Sequence, residues 1–303
     1  MSTQVPALLD GLVDDAAVFP PGSAPLPDAV AAHRRHRASW YADLVGPLLV
    51  PASRLPELAG LLDPGEEIEV GVIGDVPVAR LDEARAGVDP RIRVRQVEAA
   101  VAKRGEDPLP GLTELVGLAR RANRADGPAA DGPAADGPAA GGLAVYAEVP
   151  LTFGLMGALD ALAAARAEGL PVAAKFRTGG LAAELFPTPA ELAAVICACR
   201  DRGLPFKLTA GLHEAVRHLD PETGFTHHGF ANVLAATLAA AEGAGVERVA
   251  ELLTATDPRP LVQRVEDALA AARPLWVGFG SCSILEPLTD LIRLGLVNGG
   301  FDA

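Results

Sequence analysis

Lysine occurs three times among the 303 residues, and two of the three, Lys175 and Lys207, stand where apolar runs meet glycine-containing turns. The first context is Ala173-Ala174-Lys175-Phe176-Arg177-Thr178-Gly179-Gly180 and the second is Pro205-Phe206-Lys207-Leu208-Thr209-Ala210-Gly211. The remaining positive charge is almost all arginine, which stays protonated in proteins and is no nucleophile. An amine differs, because burial or a neighbouring cation lowers its pKa until the lone pair is free to attack a carbonyl and form an imine. Two lysines on neighbouring strand ends are the minimal apparatus for Schiff-base chemistry, one as nucleophile and one to depress its pKa. The bland alternative is that each ammonium reaches solvent or pairs with a buried carboxylate.

Other side chains near these lysines have chemistry to offer. Arg177 lies two residues beyond Lys175, on the same side of the strand if the strand continues. There it would hold a substrate carboxylate or phosphate bidentately, or else bridge to Glu148 or Glu98. His213 follows Gly211-Leu212 and is placed to act as an acid or base at the same opening, with His227 and His228 able to form a lid. The run from His213 through Glu214 to His218 imitates a zincin helix with one residue too many. Histidines five apart do not share a helix face, so no metal site is expected. His33 and His36, among Arg34, Arg35 and Arg37, read as a solvated helix face. The three cysteines make neither a disulfide framework nor a zinc spacing.

Positioning these groups requires strands that end together. Short apolar runs alternate with Ala/Leu-rich helical patterns, and strands are expected at 12–18, 46–51, 68–73, 91–97, 143–149, 170–175, 204–209 and 274–279. A helix is predicted over 188–202, with Thr188 as N-cap, Pro189 in the first helical position, Glu191 in the third and Gly203 closing it. Eight strands with intervening helices and one composition regime predict an α/β fold, a single (β/α)8 TIM barrel occupying 1–303, with an open doubly wound sheet as the alternative. The stretch 212–273 reads as helices with no convincing strand. From 125 to 142 the unit Ala-Asp-Gly-Pro-Ala recurs, a period that sustains neither helix nor ladder and predicts a flexible surface insertion. In such a barrel the C-terminal strand ends surround the active site, and Lys175 and Lys207 both fall there.

The blocks around these lysines resemble the deoxyribose-phosphate aldolases, class I aldolases on a (β/α)8 barrel. Lys175-Phe176-Arg177-Thr178-Gly179 is similar to that family's Lys-x-x-x-Gly strand end, Thr188-Pro189 to the opening of its next helix, and Phe206-Lys207-Leu208-Thr209-Ala210-Gly211 to its following strand. Phe279-Gly280-Ser281-Cys282-Ser283 resembles its last strand, and Leu12-Val13-Asp14 its first, which carries an aspartate. The resemblance implies Lys175 as Schiff-base nucleophile and Lys207 as the cation that lowers its pKa. It also implies Arg177, Thr178, Gly179, Gly211, Gly280, Ser281, Ser283 and Asp14 around the substrate. The family's fourth strand carries a proton-shuttling aspartate. Here 91–97 brings arginines to that place, and Glu98 or Glu148 would have to substitute. Ala210 and Cys282 replace residues of the phosphate cradle, which leaves a carboxylate or an unphosphorylated polyol as open as a phosphosugar.

A formal charge of −13 argues against nucleic acid or an anionic membrane as partner. No apolar run reaches membrane-spanning length, and Met1 to Asp15 holds no basic residue, so no ordinary secretory leader is expected and a cytoplasmic location is. The expected partner is a small carbonyl or sugar-like molecule, without cofactor or metal, and a homo-oligomer is compatible with the sequence. A class I aldolase-type lyase is the leading expectation. An isomerase or hydrolase using Glu148 and His213, and a non-catalytic ligand-binding barrel, remain alternatives.

Overall fold

Strands as short and apolar as these are stable only when both faces are covered, and closure of the sheet supplies one cover while helices supply the other. A computed structural model describes residues 5–125 and 142–299. Eight parallel strands close a barrel: β1 (Val13–Asp15), β2 (Val45–Pro51), β3 (Ile68–Ile73), β4 (Ile92–Ala100), β5 (Ala144–Glu148), β6 (Val172–Arg177), β7 (Phe206–Thr209) and the last strand, β10 (Trp276–Ser281). Between β7 and the last strand stands a two-stranded hairpin, β8 (His218–Leu219) and β9 (Thr226–His227). The strands follow the chain order round the barrel, with β1 pairing both β2 and β10. The expected (β/α)8 barrel is the observed one, and each of the eight expected strands is present. The repeat, in residues 126–141, lies outside the described residues.

Two differences from the sequence reading bear on the site. First, β4 runs to Ala100 rather than stopping at 97. Arg93 and Arg95 are exposed on the outer wall, paired to Glu67 and Glu69 at 2.5 and 2.6 Å, while Gln96 and Glu98 turn inward, buried. Period-two alternation makes that inside–outside split unavoidable once the strand is extended. Second, the helix Leu26–Arg37 does not present a wholly solvated face. His33 is buried, and its Nδ1 lies 3.1 Å from Asp15 Oδ2. Asp15 therefore points outward to the helix while its neighbour Asp14 points into the barrel.

The stretch after β7 is built around the helix Phe230–Ala241, whose residues from Phe230 to Ala240 are all buried. It is buried on every side because the helices Pro189–Asp201, Val246–Thr254 and Pro258–Glu266 pack around it. The helix after β6 starts as its sequence requires. Thr188 Oγ1 accepts from the Glu191 amide, Glu191 Oε2 accepts from the Thr188 amide at 2.7 Å, and Gly203 at φ +58° ends the helix.

Candidate active site

The register of β5, β6 and β7 places Glu148 beside Lys175 and Lys175 beside Lys207. Paired residues on neighbouring parallel strands face the same side, here the barrel interior, so the three side chains converge. Lys175 Nζ lies 2.8 Å from Glu98 Oε2 and 2.9 Å from Glu148 Oε2. Lys207 reaches across the barrel to Glu98 Oε1 at 2.6 Å and to Asp14 Oδ2, and its ammonium stands 4.9 Å from the centre of the Tyr146 ring. Glu98 thus bridges both ammoniums. Gln96 Nε2 donates to Asp14 Oδ2 at 2.6 Å and to Glu98 Oε1 at 2.9 Å, tying the two carboxylates together. At the rim Arg177 donates from Nε and Nη2 to Glu148 Oε1 at 3.1 and 3.0 Å.

The barrel makes room for this cluster with small residues. A Cβ on Gly46 of β2 would fall 2.0 Å from Asp14 Oδ1, and one on Gly71 of β3 would fall 2.7 Å from Gln96 Nε2. Around the lysines, Thr178, Gly179 and Gly211 serve as brackets between strand ends. Thr178 Oγ1 donates to the Thr209 carbonyl at 3.3 Å and to that of Ala210. A Cβ on Gly179 would stand 2.9 Å from Gly211 Cα, and Gly211 itself has φ +76°. That close approach of two backbones holds Lys175 and Lys207 abreast.

Electrostatically the cluster is balanced, with Asp14, Glu98 and Glu148 opposite Lys175, Lys207 and Arg177. Burial works against the charge of Glu98, but the two ammoniums outweigh it and bring its carboxyl from 4.5 down to about 2. Burial likewise opposes the charge of Lys175, and Glu98 and Glu148 overcome it, holding the ammonium above its ordinary pKa. Lys207 is raised in the same way by Asp14 and Glu98 against burial. Asp14 moves upward, first through burial and then through the neighbouring Glu98 carboxylate, with Lys207 pulling the other way. At rest, then, Lys207 does not keep Lys175 neutral by like-charge repulsion. Glu98, bonded to both ammoniums, stabilises each instead.

The remaining expected residues divide. His213 is not among the groups bonded to the lysines; its Nδ1 lies 3.0 Å from Glu286 Oε2 and 3.9 Å from Cys282 Sγ, and that thiol first, then Glu286, raises it to about 9 despite burial. It lines a separate groove of about 700 Å³ beyond β7 and β10, shared with His218, His227 and Cys282. His218 and His227 stack at 5.3 Å, and His228 is hydrogen-bonded to the Pro187 carbonyl at 2.8 Å; burial pushes it down to about 4 against the raising effect of that bond. Among the described residues no group of His, Cys, Asp and Glu is arranged to hold a metal. Ser281 donates to the Ser283 carbonyl at 2.8 Å, and the Glu286 amide donates to Ser283 Oγ at 3.3 Å. These hydroxyls are engaged in their own turn, and Gly280 packs 3.1 Å (as a Cβ) from Leu49.

Gln96 and Tyr146 complete the cluster, although neither stands out in the sequence. Period-two spacing from Glu98 and Glu148 was the available signal for both. No helix of the described residues is long and apolar enough to cross a membrane. No family model, curated protein or solved structure matches the chain, so what the site does rests on its own geometry.

Proposed function

We propose that this barrel is a class I aldolase-type lyase in which Lys175 forms an imine with a small aldehyde or ketone. The observation that carries this is the Glu148–Lys175 contact at 2.9 Å, because Glu148 also lines an open cleft at the strand ends. Lys175 is itself buried, its side chain 5% exposed, and Glu148, which touches both its nitrogen and the opening, supports Lys175 as the lysine that meets a substrate. Lys207 lies deeper, its side chain 2% exposed and held by two carboxylates. The resemblance to the deoxyribose-phosphate aldolases adds support, since Asp14, Glu98, Lys175 and Lys207 fall on the first, fourth, sixth and seventh strands, where that family's key residues are expected.

In this mechanism the Lys175 ammonium passes a proton to Glu148 and its lone pair attacks the carbonyl carbon. The C–N bond forms as the carbonyl π pair moves to oxygen. Glu148 returns that proton to the oxygen, then relays a second proton from the carbinolamine nitrogen to it, so that the oxygen leaves as water as the nitrogen lone pair closes the iminium. The positive iminium takes the place of the ammonium beside Glu98, so the balance of buried charge is kept through the step. It then accepts the electrons of the bond between the α and β carbons as that bond breaks to leave an enamine, and Glu148 is positioned to take the β-hydroxyl proton of the departing carbonyl fragment. Lys207, Asp14 and Gln96 hold Glu98 in place.

Borohydride reduces an iminium to a stable secondary amine. The test is intact-mass analysis after incubation with acetaldehyde, dihydroxyacetone or pyruvate and borohydride. One adduct per chain in the wild type and none in Lys175→Arg is expected. Adducts that persist in Lys175→Arg, or none with any carbonyl, would remove the imine and leave an ion-pair network as the role of these lysines.

A further inference from the structure

The imine reading leaves open what kind of carbonyl compound the site takes, and the cleft above Glu148 bears on it. The cleft encloses about 390 Å³ over the ends of β4, β5 and β6, within the size range of small-molecule sites. Its walls include the apolar Leu151, Leu185 and Phe186, and two guanidiniums, Arg104 and Arg177, line it. Arg177 spends Nε and Nη2 on a single oxygen of Glu148, and its side chain remains 42% exposed. Arg104 donates from Nη1 to the neutral Glu184 carbonyl at 3.2 Å, and its charge adds to the hydrogen bonds from Thr188 in lowering the Glu191 carboxyl.

Three acids, Glu148, Glu184 and Glu191, share the cleft with these cations. Glu191 is committed to the helix cap, accepting from the Thr188 amide and hydroxyl at 2.7 and 2.8 Å. Glu184 is exposed, where water and salt screen it. Glu148 is shared between Lys175 and Arg177. The other opening at this end of the barrel is more acidic: Glu214, Asp220, Glu286 and Asp290 line it against His213 and Arg293, the latter 3.5 Å from Asp290. A dianionic phosphate is disfavoured there, and the serine hydroxyls nearby are bonded within their own turn.

We infer that the β4–β6 cleft binds the carboxylate of the substrate through Arg104 and Arg177, so that the compound offered to Lys175 is an unphosphorylated oxo acid. The planar guanidinium fork suits a carboxylate. An anion held beside Arg177 places a carbonyl one or two bonds away next to Glu148 and Lys175. This inference rests on the imine reading for its chemistry, but its binding component stands apart from it.

The test is calorimetric titration with pyruvate, its uncharged amide and dihydroxyacetone phosphate, on wild type, Arg104→Ser, Arg177→Gln and Lys175→Arg. Pyruvate should bind at least about tenfold more tightly than its amide, and each arginine variant should lose about tenfold for pyruvate while the amide is unaffected. Lys175→Arg, which forms no imine, should keep the preference for the anion. Equal binding of pyruvate and the amide, insensitivity to both arginine substitutions, or tighter binding of dihydroxyacetone phosphate would overturn the inference. Borohydride adducts with neutral aldehydes alongside any of those results would leave the imine standing and the carboxylate cleft refuted. Arginine-dependent pyruvate binding with no adduct on any carbonyl would refute the imine while supporting the cleft.

Discussion

Glu98→Gln perturbs the cluster at its centre while keeping side-chain size. Glu98 is 1% exposed and accepts from Lys175, Lys207 and Gln96 at 2.8, 2.6 and 2.9 Å. The substitution leaves two buried ammoniums sharing Asp14 and Glu148. Breaking a buried ion pair by removing one partner costs about 3–5 kcal/mol. With an unfolding entropy of about 2.1 cal/mol/K per residue, a chain of this length has roughly 0.6 kcal/mol/K at its midpoint, so Tm should fall by about 5–8 °C. The same change acts on reactivity in the opposite sense. Burial lowers the proton affinity of Lys175 and Glu98 raises it more than any other group does. Without Glu98 the amine is free at lower pH, and the pH profile of reductive trapping should move to the acid side. Calorimetric melting and trapping between pH 6 and 10 read the two effects separately. A variant within about 1 °C of wild type, with an unmoved trapping profile, would refute the claim that Glu98 stabilises both ammoniums.

Three further outcomes follow from the same geometry. The Glu98 carboxyl is lowered from 4.5 to about 2 in the fold, so its contribution, about 3 kcal/mol, is present above pH 4.5 and lost as pH falls toward 2. Urea unfolding across that window should show the gap between wild type and Glu98→Gln closing, and a constant gap would contradict the ion-pair origin. Gly46→Ala inserts a Cβ 2.0 Å from Asp14 Oδ1, against a carboxylate pinned by Lys207 and Gln96. Its expected cost is about 1–3 kcal/mol with a weakened Lys207 contact, and an unchanged melting curve would show that Asp14 has room to move. Thr188→Ala removes one half of the capping box and should cost about 1 kcal/mol without altering trapping at Lys175. A loss of trapping there would mean that the helix start controls the cleft.

The barrel was legible in the sequence because each strand is a short apolar run bounded by turn residues and each gap holds a helical pattern. The two lysines were legible because lysine is otherwise so scarce. The end of the fourth strand is less legible: Arg91, Arg93 and Arg95 dominate its composition, yet alternation sends Arg93 and Arg95 outward and brings Gln96 and Glu98 in. Three residues of strand length decided where the central acid lies. Chain order alone puts His213 near the lysines because it follows β7, whereas its position depends on Glu286 and Cys282, which are distant in sequence. His33 illustrates the same limit, since its burial depends on a long-range partner, Asp15. Roles that depend on which groups meet across a barrel, such as Glu98 joining Lys175 to Lys207, are set by closure and register, and no local pattern encodes them.

The central claim is that Lys175, rather than Lys207 or Lys103, carries the carbonyl adduct. Peptide mapping after borohydride trapping distinguishes the three, since each lies in a different part of the chain. With pyruvate at neutral to mildly alkaline pH, the mass increment should be confined to the peptide containing Lys175 and disappear in Lys175→Arg. An adduct on Lys207, or one spread over Lys103 and the N-terminus with Lys175 unmodified, would contradict the account.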